Sequence, residues 1–594
     1  MKELIKERIS ALRSKMQDAG IEAYLIYGTD PHLSEYVPEH WLTRLFISGF
    51  TGSAGMVIIS SEKAALWTDS RYFLQAEEQI QGSGIELVKM RTPGYPEPAE
   101  WLKINLKAGV QVGTDESCIS ANQYRSMLQM LDQSGIILKE SGDLLNEIWP
   151  DRPALPDSEI YEHELRFAST DRKTKTTAIC YELEKLGADL QIITSLDDLA
   201  WTFNLRGTDV ECNPVFMAYA AISTTETTLF IDDHKLPSGL KTKLETEGIQ
   251  IRAYRELADF LRNLPTSTRV LLDPDRTNQS ILKNIPDQCT IIESLSVPCK
   301  LKAIKSEAEI SNIRQAMKKD GVAMVEFLYW LENKLDNITV TEYTVAEKLT
   351  EFRAKQPDFK GISFFPIVGY KEHGAIVHFH VSEDNALPIE KDGFLLFDSG
   401  GQYLDGTTDI TRTIALSELT SQQKTDFTLV LKGMISLTLA KFPLNTRGYH
   451  LDILARKEMW QHGLNYGHGT GHGVGYFLNV HEGPMSIRQE YNDRVIEAGM
   501  VLSNEPALYR LGEYGIRTEN MMVCVTDQST GFGDFLKFDT LTLCPIDTKA
   551  IDKNQLCLEE INWLNHYHKR VYDELKPLVN NELKAFMKEL TKPI

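Results

Sequence analysis

The sequence predicts an α+β protein with two related α/β domains at the front of the chain and a larger domain of mixed helices and strands behind them. First, a helix and strand pattern in residues 1–150 returns in the same order after a proline-rich segment. Second, long helices followed by glycine-rich strands replace this pattern beyond residue 300. Third, 594 residues with 42% hydrophobic and 25% charged side chains are enough for several globular cores.

The first domain opens with a helix, because apolar residues recur at helical spacing and a glycine follows them. Three short apolar strands, IEAYLIYG, GMVIIS and AALWTD, and the helix SRYFLQAEEQI come next, which is an α/β pattern. The prolines of WPDRPALP then exclude both helix and central strand. The first domain is therefore predicted to span residues 1–152. The apolar residues of its opening helix are Leu4, Ile5, Ile9, Leu12 and Met16.

The second domain repeats the order of the first. The helix CYELEKLGADL, the strand QIITS and the segments DDLAWTFNLRG, AYAAIS and TTLFIDD follow one another as their counterparts do. Two unrelated α/β stretches would also fit this pattern. We favour a duplicated domain over residues 153–304.

The third domain is predicted over residues 305–594 and begins at a helix cap. Ser306 and Glu309 have the spacing of a capping box ahead of an apolar helical run. Helices are expected near 320–334 and 343–354, and strands within 361–413 and 465–545. The tail beyond residue 552 is again helical, and we expect it to pack on this domain or on a second subunit.

Composition excludes some classes of function. The net charge of −21 disfavours binding to nucleic acid and to anionic membranes. The eight cysteines form no C-x-x-C pair, which favours a reducing compartment. No signal peptide and no run of about 18 apolar residues is present, so we expect a cytoplasmic protein without a membrane segment.

Acidic residues flank a predicted hairpin in FLLFDSGGQYLDGTTDITRT. Asp398 ends an apolar strand, Asp405 and Gly406 turn the chain, and Asp409 lies on the return strand. The carboxylates of Asp398 and Asp409 are predicted to become cross-strand neighbours, at about 4.5 to 5.5 Å between Cβ atoms. Such a pair can hold two cations between them. Surface aspartates of a hydrophilic turn are the alternative for this segment alone.

Three histidines cluster in NYGHGTGHGVGYFLNVHEGP: His468, His472 and His481. The glycines at alternate positions fit neither a dinucleotide loop nor a P-loop. They suit an extended segment whose backbone a ligand can approach closely. A single histidine is usually structural, but three among such small residues favour a functional site.

Two glutamates complete a set of metal ligands. Glu505 lies in the apolar run VLSNEPALY, and Glu519 precedes the apolar run NMMVCV, where an ion pair with Arg517 is the alternative. Four carboxylates and one imidazole carry a formal charge of −4 and would neutralise two divalent cations. Oxygen-rich ligands favour Mn²⁺, with Co²⁺ or Zn²⁺ possible, and two such ions predict a hydrolase. The five ligands are Asp398, Asp409, His472, Glu505 and Glu519.

The order of these motifs resembles that of the pita-bread metallopeptidases. SGFTGSAG, WTDSRYFLQAEEQ and GAIVHFH are also similar to the three-domain form of the aminopeptidase P family, the Xaa-Pro aminopeptidases. The resemblance covers essentially the whole chain and implies two creatinase-like front domains before a pita-bread catalytic domain. It also implies a homodimer that removes the first residue from peptides with proline at the second position.

The resemblance assigns roles to single residues. The five ligands match the dinuclear site of the family, with Asp409 and Glu519 as the bridging pair. His378, His468 and His481 match histidines beside that site, of which those at 378 and 481 orient the substrate and stabilise the tetrahedral intermediate. Glu505 also shuttles the proton, and Arg517 orients Glu519.

Two residues depart from the family pattern in GYKEHGAIVHFH. His373 replaces the usual asparagine, and Phe379 replaces the usual tyrosine after the histidine. Substrate subsites near these positions are therefore open. The distance of 20 residues to Asp398 identifies His378, rather than His373 or His380, as the functional histidine.

Two alternatives remain at this point. Prolidases share the five ligands but usually have one front domain, so the duplicated front favours an aminopeptidase P. A catalytically inactive binding module with the peptidase fold would lose ligands, and this chain keeps all five.

Overall fold

The computed structural model describes residues 2–594, which form two compact units. The first unit reaches to Leu165 and includes Thr170–Cys299, and the second comprises Arg166–Ser169 and Lys300–Ile594. The predicted domain boundaries after residues 152 and 304 stay predictions.

The first unit begins with a six-stranded sheet in the order β4-β3-β2-β1-β5-β6. The predicted opening helix is present, and its buried residues are four of the five expected ones. The helices are α1 (Lys2–Ala19), α2 (Thr43–Ser48), α3 (Phe73–Ile80), α4 (Pro98–Asn105) and α5 (Ala121–Asp132). The strands are β1 (Ala23–Tyr27), β2 (Met56–Ser60), β3 (Ala64–Thr68), β4 (Glu86–Lys89), β5 (Gln111–Thr114) and β6 (Ile137–Glu140).

A second six-stranded sheet, in the order β12-β11-β10-β8-β13-β14, has the same connectivity. Its parallel and antiparallel pairings match those of the first sheet strand by strand. The predicted relation between the two front domains is therefore present in the fold. The strands are β7 (Tyr161–Glu162), β8 (Leu190–Ile193), β9 (Leu205–Arg206), β10 (Tyr219–Ser223), β11 (Thr227–Phe230), β12 (Ile249–Arg252), β13 (Arg269–Leu272) and β14 (Thr290–Glu293). The helices are α6 (Leu165–Ala168), α7 (Arg172–Leu186), α8 (Leu196–Phe203), α9 (Ser238–Thr246), α10 (Leu257–Arg262), α11 (Gln279–Lys283) and α12 (Val297–Ala303).

The second unit combines six helices with several antiparallel sheets. Two three-stranded sheets have the orders β15-β18-β19 and β16-β17-β20, and a six-stranded sheet has the order β21-β28-β27-β24-β22-β23. The helices are α13 (Glu307–Lys334), α14 (Glu342–Ala354), α15 (Ser421–Thr438), α16 (Gly448–Gln461), α17 (Leu558–Leu575) and α18 (Asn581–Leu590). The strands are β15 (Phe359–Ile362), β16 (Ile367–Tyr370), β17 (Phe394–Ser399), β18 (Gly401–Tyr403), β19 (Gly406–Thr407), β20 (Ile410–Ala415), β21 (Lys441–Pro443), β22 (Gly471–Gly473), β23 (Glu482–Ile487), β24 (Val501–Asn504), β25 (Ala507–Arg510), β26 (Tyr514–Arg517), β27 (Asn520–Thr530) and β28 (Gly533–Thr540).

Both ends of this unit behave as the sequence predicts. The Ser306 hydroxyl accepts a hydrogen bond from the Glu309 N–H, and the Glu309 carboxylate accepts one from the Ser306 N–H, which is a complete capping box for α13. Helix α17 of the C-terminal tail buries Leu564 and Val571 in a core shared with α15. The helical tail therefore packs on its own unit, which is one of the two predicted arrangements.

None of the eight cysteines forms a disulfide bond within residues 2–594. Among residues 2–594, no helix combines the length and apolar character needed to cross a membrane.

Candidate metal centre

Asp398 and Asp409 lie at the ends of two paired strands. β17 ends in Asp398 and Ser399, and Asp409 directly precedes β20. The expectation that the two aspartates face each other across the ladder is wrong, because Asp398 pairs with Thr411. The intervening strands β18 and β19 form their own hairpin, which leaves Asp409 just outside the ladder. The two carboxylates are still close, because burial and the charge of Asp409 together raise the pKa of Asp398.

His472 is the centre of the carboxylate cluster. Its Nδ1–H donates to the carbonyl of Gly473 at 2.9 Å, so Nε2 faces the acids. From Nε2 the distance is 3.4 Å to Asp409 Oδ2 and 3.5 Å to Glu505 Oε1. Ligand atoms of Asp409, His472 and Glu519 all lie within 4.8 Å of one another, which is a spacing that a metal ion can bridge.

Two carboxylate oxygens of the cluster are buried without a hydrogen-bond donor. These are Asp398 Oδ1 and Glu519 Oε1. Buried polar atoms are normally paired, and an unpaired anionic oxygen is costly. A cation would supply the missing partner. The predicted ligands therefore fit divalent metal ions, both by donor type and by these two oxygens.

The charges of the cluster disturb one another. Burial together with Asp409 and Asp398 raises the pKa of Glu505 to about 7. Burial and the same neighbours raise the pKa of Glu519 well above its usual range. Burial disfavours the imidazolium of His472, but Asp409 and Glu505 raise its pKa to about 9. Each of these shifts favours the protonated form of its group.

These pKa shifts predict how the stability of the metal-free protein depends on pH. Glu505 and His472 both bind protons more tightly in the folded state than in the unfolded chain, so the free energy of unfolding falls as pH rises. The stabilisation from His472 is complete below pH about 6.5 and is lost as pH rises towards 9. The destabilisation from Glu505 develops between about pH 4.5 and 7. We expect the melting temperature of chelated protein to fall from pH 5.5 to 8.5, and to fall less steeply in the Glu505→Gln variant. A melting temperature that rises equally in both proteins would contradict this expectation.

Arg517 contacts the cluster in a way that the sequence did not predict. Its Nη2 donates to Asp398 Oδ2 at 2.6 Å, whereas it reaches Glu519 only through the hydroxyl of Thr411. The ion pair between Arg517 and Glu519, which the sequence left as the alternative for Glu519, is therefore not formed, and Arg517 contacts Glu519 through Thr411. Side chains two residues apart point the same way only within one regular strand, and Glu519 lies between β26 and β27.

Tyr509 is a site residue that sequence reasoning missed. Its hydroxyl accepts from Arg517 Nη1 at 2.5 Å and donates to His468 Nε2 at 2.9 Å. The Nδ1–H of His468 donates to the Gly469 carbonyl at 2.7 Å, which sets this tautomer. A continuous hydrogen-bonded chain thus joins His468 to Asp398. The only sequence signal for Tyr509 is its place in the apolar run that follows Glu505.

The remaining predicted histidines lie on two loops. The ring of His481 meets that of His472 edge to face, with centroids 4.3 Å apart. His378 is half-buried in the segment that leaves β16, the strand that pairs Ile367 with Asp398.

The two departures from the family pattern contact each other. The rings of His373 and Phe379 stack at 4.1 Å. His373 Nδ1 is 2.9 Å from a carboxylate oxygen of Glu342, which also accepts from the backbone N–H of Leu387. Both ends of the loop that carries His378 are therefore held by Glu342.

Family models and relatives match nearly the whole chain. The sequence model of metallopeptidase family M24 matches residues 311–527, and that of its C-terminal region matches 534–594. Two creatinase/prolidase N-terminal domain models match residues 8–148 and 151–309. Xaa-Pro aminopeptidase 1 of Dictyostelium discoideum is 39% identical over 99% of this chain and 97% of its own. The chain belongs to the M24 metallopeptidase family.

Other members of the family share its full length. Aminopeptidase P2 of Arabidopsis thaliana is 36% identical over 97% of this chain and 87% of its own. The solved X-prolyl aminopeptidase of Caenorhabditis elegans, described as a cytosolic enzyme with a di-nuclear active site, is 33% identical. It superposes with a TM-score of 0.95 and covers 99% of this M24 chain and 100% of its own. The predicted resemblance, the fold class with two creatinase-like domains before a pita-bread domain, and the assignment to the hydrolases are confirmed.

Proposed function

We propose that this M24 protein is an Xaa-Pro aminopeptidase, which hydrolyses the bond between an N-terminal residue and a following proline. The observation that carries the proposal is the cluster of buried Asp409 and Glu519 with half-buried His472, whose ligand atoms lie within 4.8 Å of one another. The similarity of the chain to Xaa-Pro aminopeptidases over its full length supports this substrate class.

The residues that would hold metal are the five predicted ligands. The oxygen-rich set favours two Mn²⁺ ions, with Co²⁺ or Zn²⁺ as alternatives. When bound, two divalent ions lower the pKa of water and polarise the scissile carbonyl. The neutralisation of four carboxylates also explains why so many acids share one buried site. The five ligands are Asp398, Asp409, His472, Glu505 and Glu519.

The protein's own residues would orient the substrate and move the proton. Glu505 accepts a proton from the attacking water and returns it to the proline nitrogen as the C–N bond breaks. Arg517 Nη2 donates to Asp398 Oδ2 at 2.6 Å and so offsets its negative charge. Through Tyr509, Arg517 also links Asp398 to His468 by hydrogen bonds. His378 and His481 would hold the substrate carbonyl and donate to the oxyanion as its charge develops.

Specificity for proline follows from the proline amide itself. This amide has no N–H to donate, and the ring fixes φ. A pocket that fits the proline ring and needs no N–H donor from the second residue can therefore prefer proline there. A free N-terminal amine is also required if the enzyme is an exopeptidase, because the amine would lie beside a metal ion.

The decisive assay measures release of the first residue from Xaa-Pro-Yaa, Xaa-Pro and Xaa-Ala-Yaa peptides, with Mn²⁺ and after chelation. We expect turnover of Xaa-Pro-Yaa, little turnover of the alanine peptide, and loss of activity on chelation. The matched control is the same peptide with an acetylated N-terminus, which should not be cleaved. Equal rates on the acetylated and the free peptide would refute exopeptidase action. Cleavage of the dipeptide Xaa-Pro without cleavage of Xaa-Pro-Yaa would indicate a prolidase.

We further propose a cytoplasmic homodimer with domains at residues 1–152, 153–304 and 305–594, without nucleic acid or membrane partners. The absence of disulfides among the eight cysteines of the described residues and the description of the Caenorhabditis elegans relative as cytosolic support the compartment. The dimer rests on the family resemblance of the sequence, and sedimentation of the purified protein measures it.

A further inference from the structure

A buried cluster of three charges lies next to the predicted site and contains none of the predicted metal ligands. Lys302 Nζ is 3.3 Å from Glu482 Oε2, and Lys305 Nζ donates to Glu482 Oε1. The side chains of all three residues are only 1% exposed. Lys305 thus hydrogen-bonds one oxygen of the carboxylate, and Lys302 forms an ion pair with the other.

Glu482 connects this cluster to the histidines of the site. It follows His481 directly and begins β23, where it pairs with Gly473, the residue after His472. The two strands approach closely, since a Cβ on Gly473 would lie 2.2 Å from the Glu482 carbonyl oxygen. Any displacement of Glu482 therefore moves the backbone that carries His481 relative to His472.

The backbone next to the two lysines is hydrogen-bonded to a neighbouring turn. The Lys305 N–H donates to the Gly499 carbonyl at 3.0 Å, and Ile304 forms a bridge with Met500. Gly499 has a φ of 94°, a conformation that favours glycine, and its own N–H donates to the carbonyl of Cys524. The segment that carries the lysines is thereby attached to the turn that precedes β24.

Stability does not account for such a cluster. Desolvating three charges costs free energy that their attraction often fails to return, and apolar residues of similar size would fill the same space. An ion cluster does restrict a side chain to one position, because both carboxylate oxygens are engaged. That restriction is useful where a neighbouring group must be held in one place.

We propose that Lys302 and Lys305 are positioning residues for His481, which act by holding Glu482. The inference rests on the proposed function, because it takes His481 as the group that contacts the substrate carbonyl. Its physical basis is that an error of about 1 Å in the position of a catalytic group can lower the rate about 10²-fold.

The test removes the charges together so that no buried ion is left unpaired. In the Lys302→Met/Lys305→Met/Glu482→Met variant, apolar side chains of similar length replace all three. We expect wild-type metal content and a melting temperature close to wild type, with kcat lowered roughly 10- to 100-fold and KM changed much less. A variant with the wild-type kcat would overturn the proposal.

A matched control comes from a buried lysine–aspartate pair in the first unit. Lys235 donates to Asp209, and their side chains are 1% and 0% exposed. The Lys235→Met/Asp209→Asn variant should keep the wild-type kcat. If kcat falls equally in this control and in the triple variant, a general loss of packing explains both, and the proposal fails.

Two further measurements test the positioning of His481: the kcat of a single variant and a crystal structure of the triple variant. If the triple variant does not fold, Lys302→Met leaves one lysine on Glu482 and should lower kcat several-fold, and an unchanged kcat would overturn the proposal. A crystal structure of the variant does not depend on the proposed function. We expect the ring of His481 to leave its 4.3 Å contact with His472, and an unchanged contact would refute positioning even if the wild-type protein cleaves no Xaa-Pro peptide.

Discussion

Replacement of Asp409 by asparagine should abolish metal binding and peptidase activity together. Asp409 is 4% exposed, its Oδ2 lies 3.4 Å from His472 Nε2, and it belongs to the group of ligand atoms within 4.8 Å. Burial and the charge of Asp409 also raise the pKa values of Asp398 and Glu505. Asparagine has the same shape but no charge and one acceptor fewer, so the cluster loses the anion that its neighbours share.

We expect the loss of kcat/KM to exceed about 10²-fold, because even residues that only support metal ligands typically cost 10- to 100-fold. Elemental analysis after reconstitution with Mn²⁺ should approach two ions per chain in the wild type and fall well below two in the variant. Activity and metal content should fall in parallel as chelator is added to the wild type.

The matched control is Asp405→Asn, the same substitution four residues earlier in the same hairpin. Asp405 is 6% exposed and pairs with Lys319 at 2.7 Å, away from the cluster. This variant should keep its metal and its activity. An Asp409→Asn protein that binds two ions and turns over at the wild-type rate would exclude the dinuclear site.

Replacement of His481 by alanine should lower kcat while the metal content stays at the wild-type level. His481 lies beside His472, with ring centroids 4.3 Å apart, and precedes the glutamate held by two lysines. Removal of one donor to a developing oxyanion typically costs about 10² to 10³ in kcat. Because the donor acts mainly in the transition state, KM should change less.

Three measurements separate the possible roles of His481. Loss of the ions would make it a ligand, and a wild-type rate with two ions would remove it from the mechanism. A lowered melting temperature with an unchanged rate would make it a packing residue. His462→Ala is the matched control, because His462 follows α16, is exposed, and its ring Nδ1–H donates to the backbone carbonyl of Glu458. It should leave rate, metal content and melting temperature unchanged.

The sequence by itself determined much of the local structure and identified the candidate ligands of the site. The capping box of Ser306 and Glu309 involves residues three apart, so local spacing is sufficient to predict it. The repeated order of the front domains reappears as two sheets of identical connectivity, because hydrophobic period and turn residues specify each strand. The ligand candidates were recognisable because acids and histidines beside apolar strands have few structural uses.

The tertiary structure alone decided which of these groups touch. Asp398 faces Thr411 rather than Asp409 because the register depends on how the hairpin between them is built. Arg517 pairs with Asp398, 119 residues away, rather than with its near neighbour Glu519. The direction of a side chain depends on the strand it leaves, and no local pattern records it.

Contacts between distant segments were out of reach for the same reason. Tyr509 joins His468 to Arg517 across 41 and 8 residues, and Lys305 reaches Glu482 across 177. Neither Tyr509 nor the lysines stand in a motif, and each is an ordinary residue of its helix, strand or turn. Their partners were selected when strands far apart in the chain packed together, because burial then required every charge and hydroxyl to find a partner.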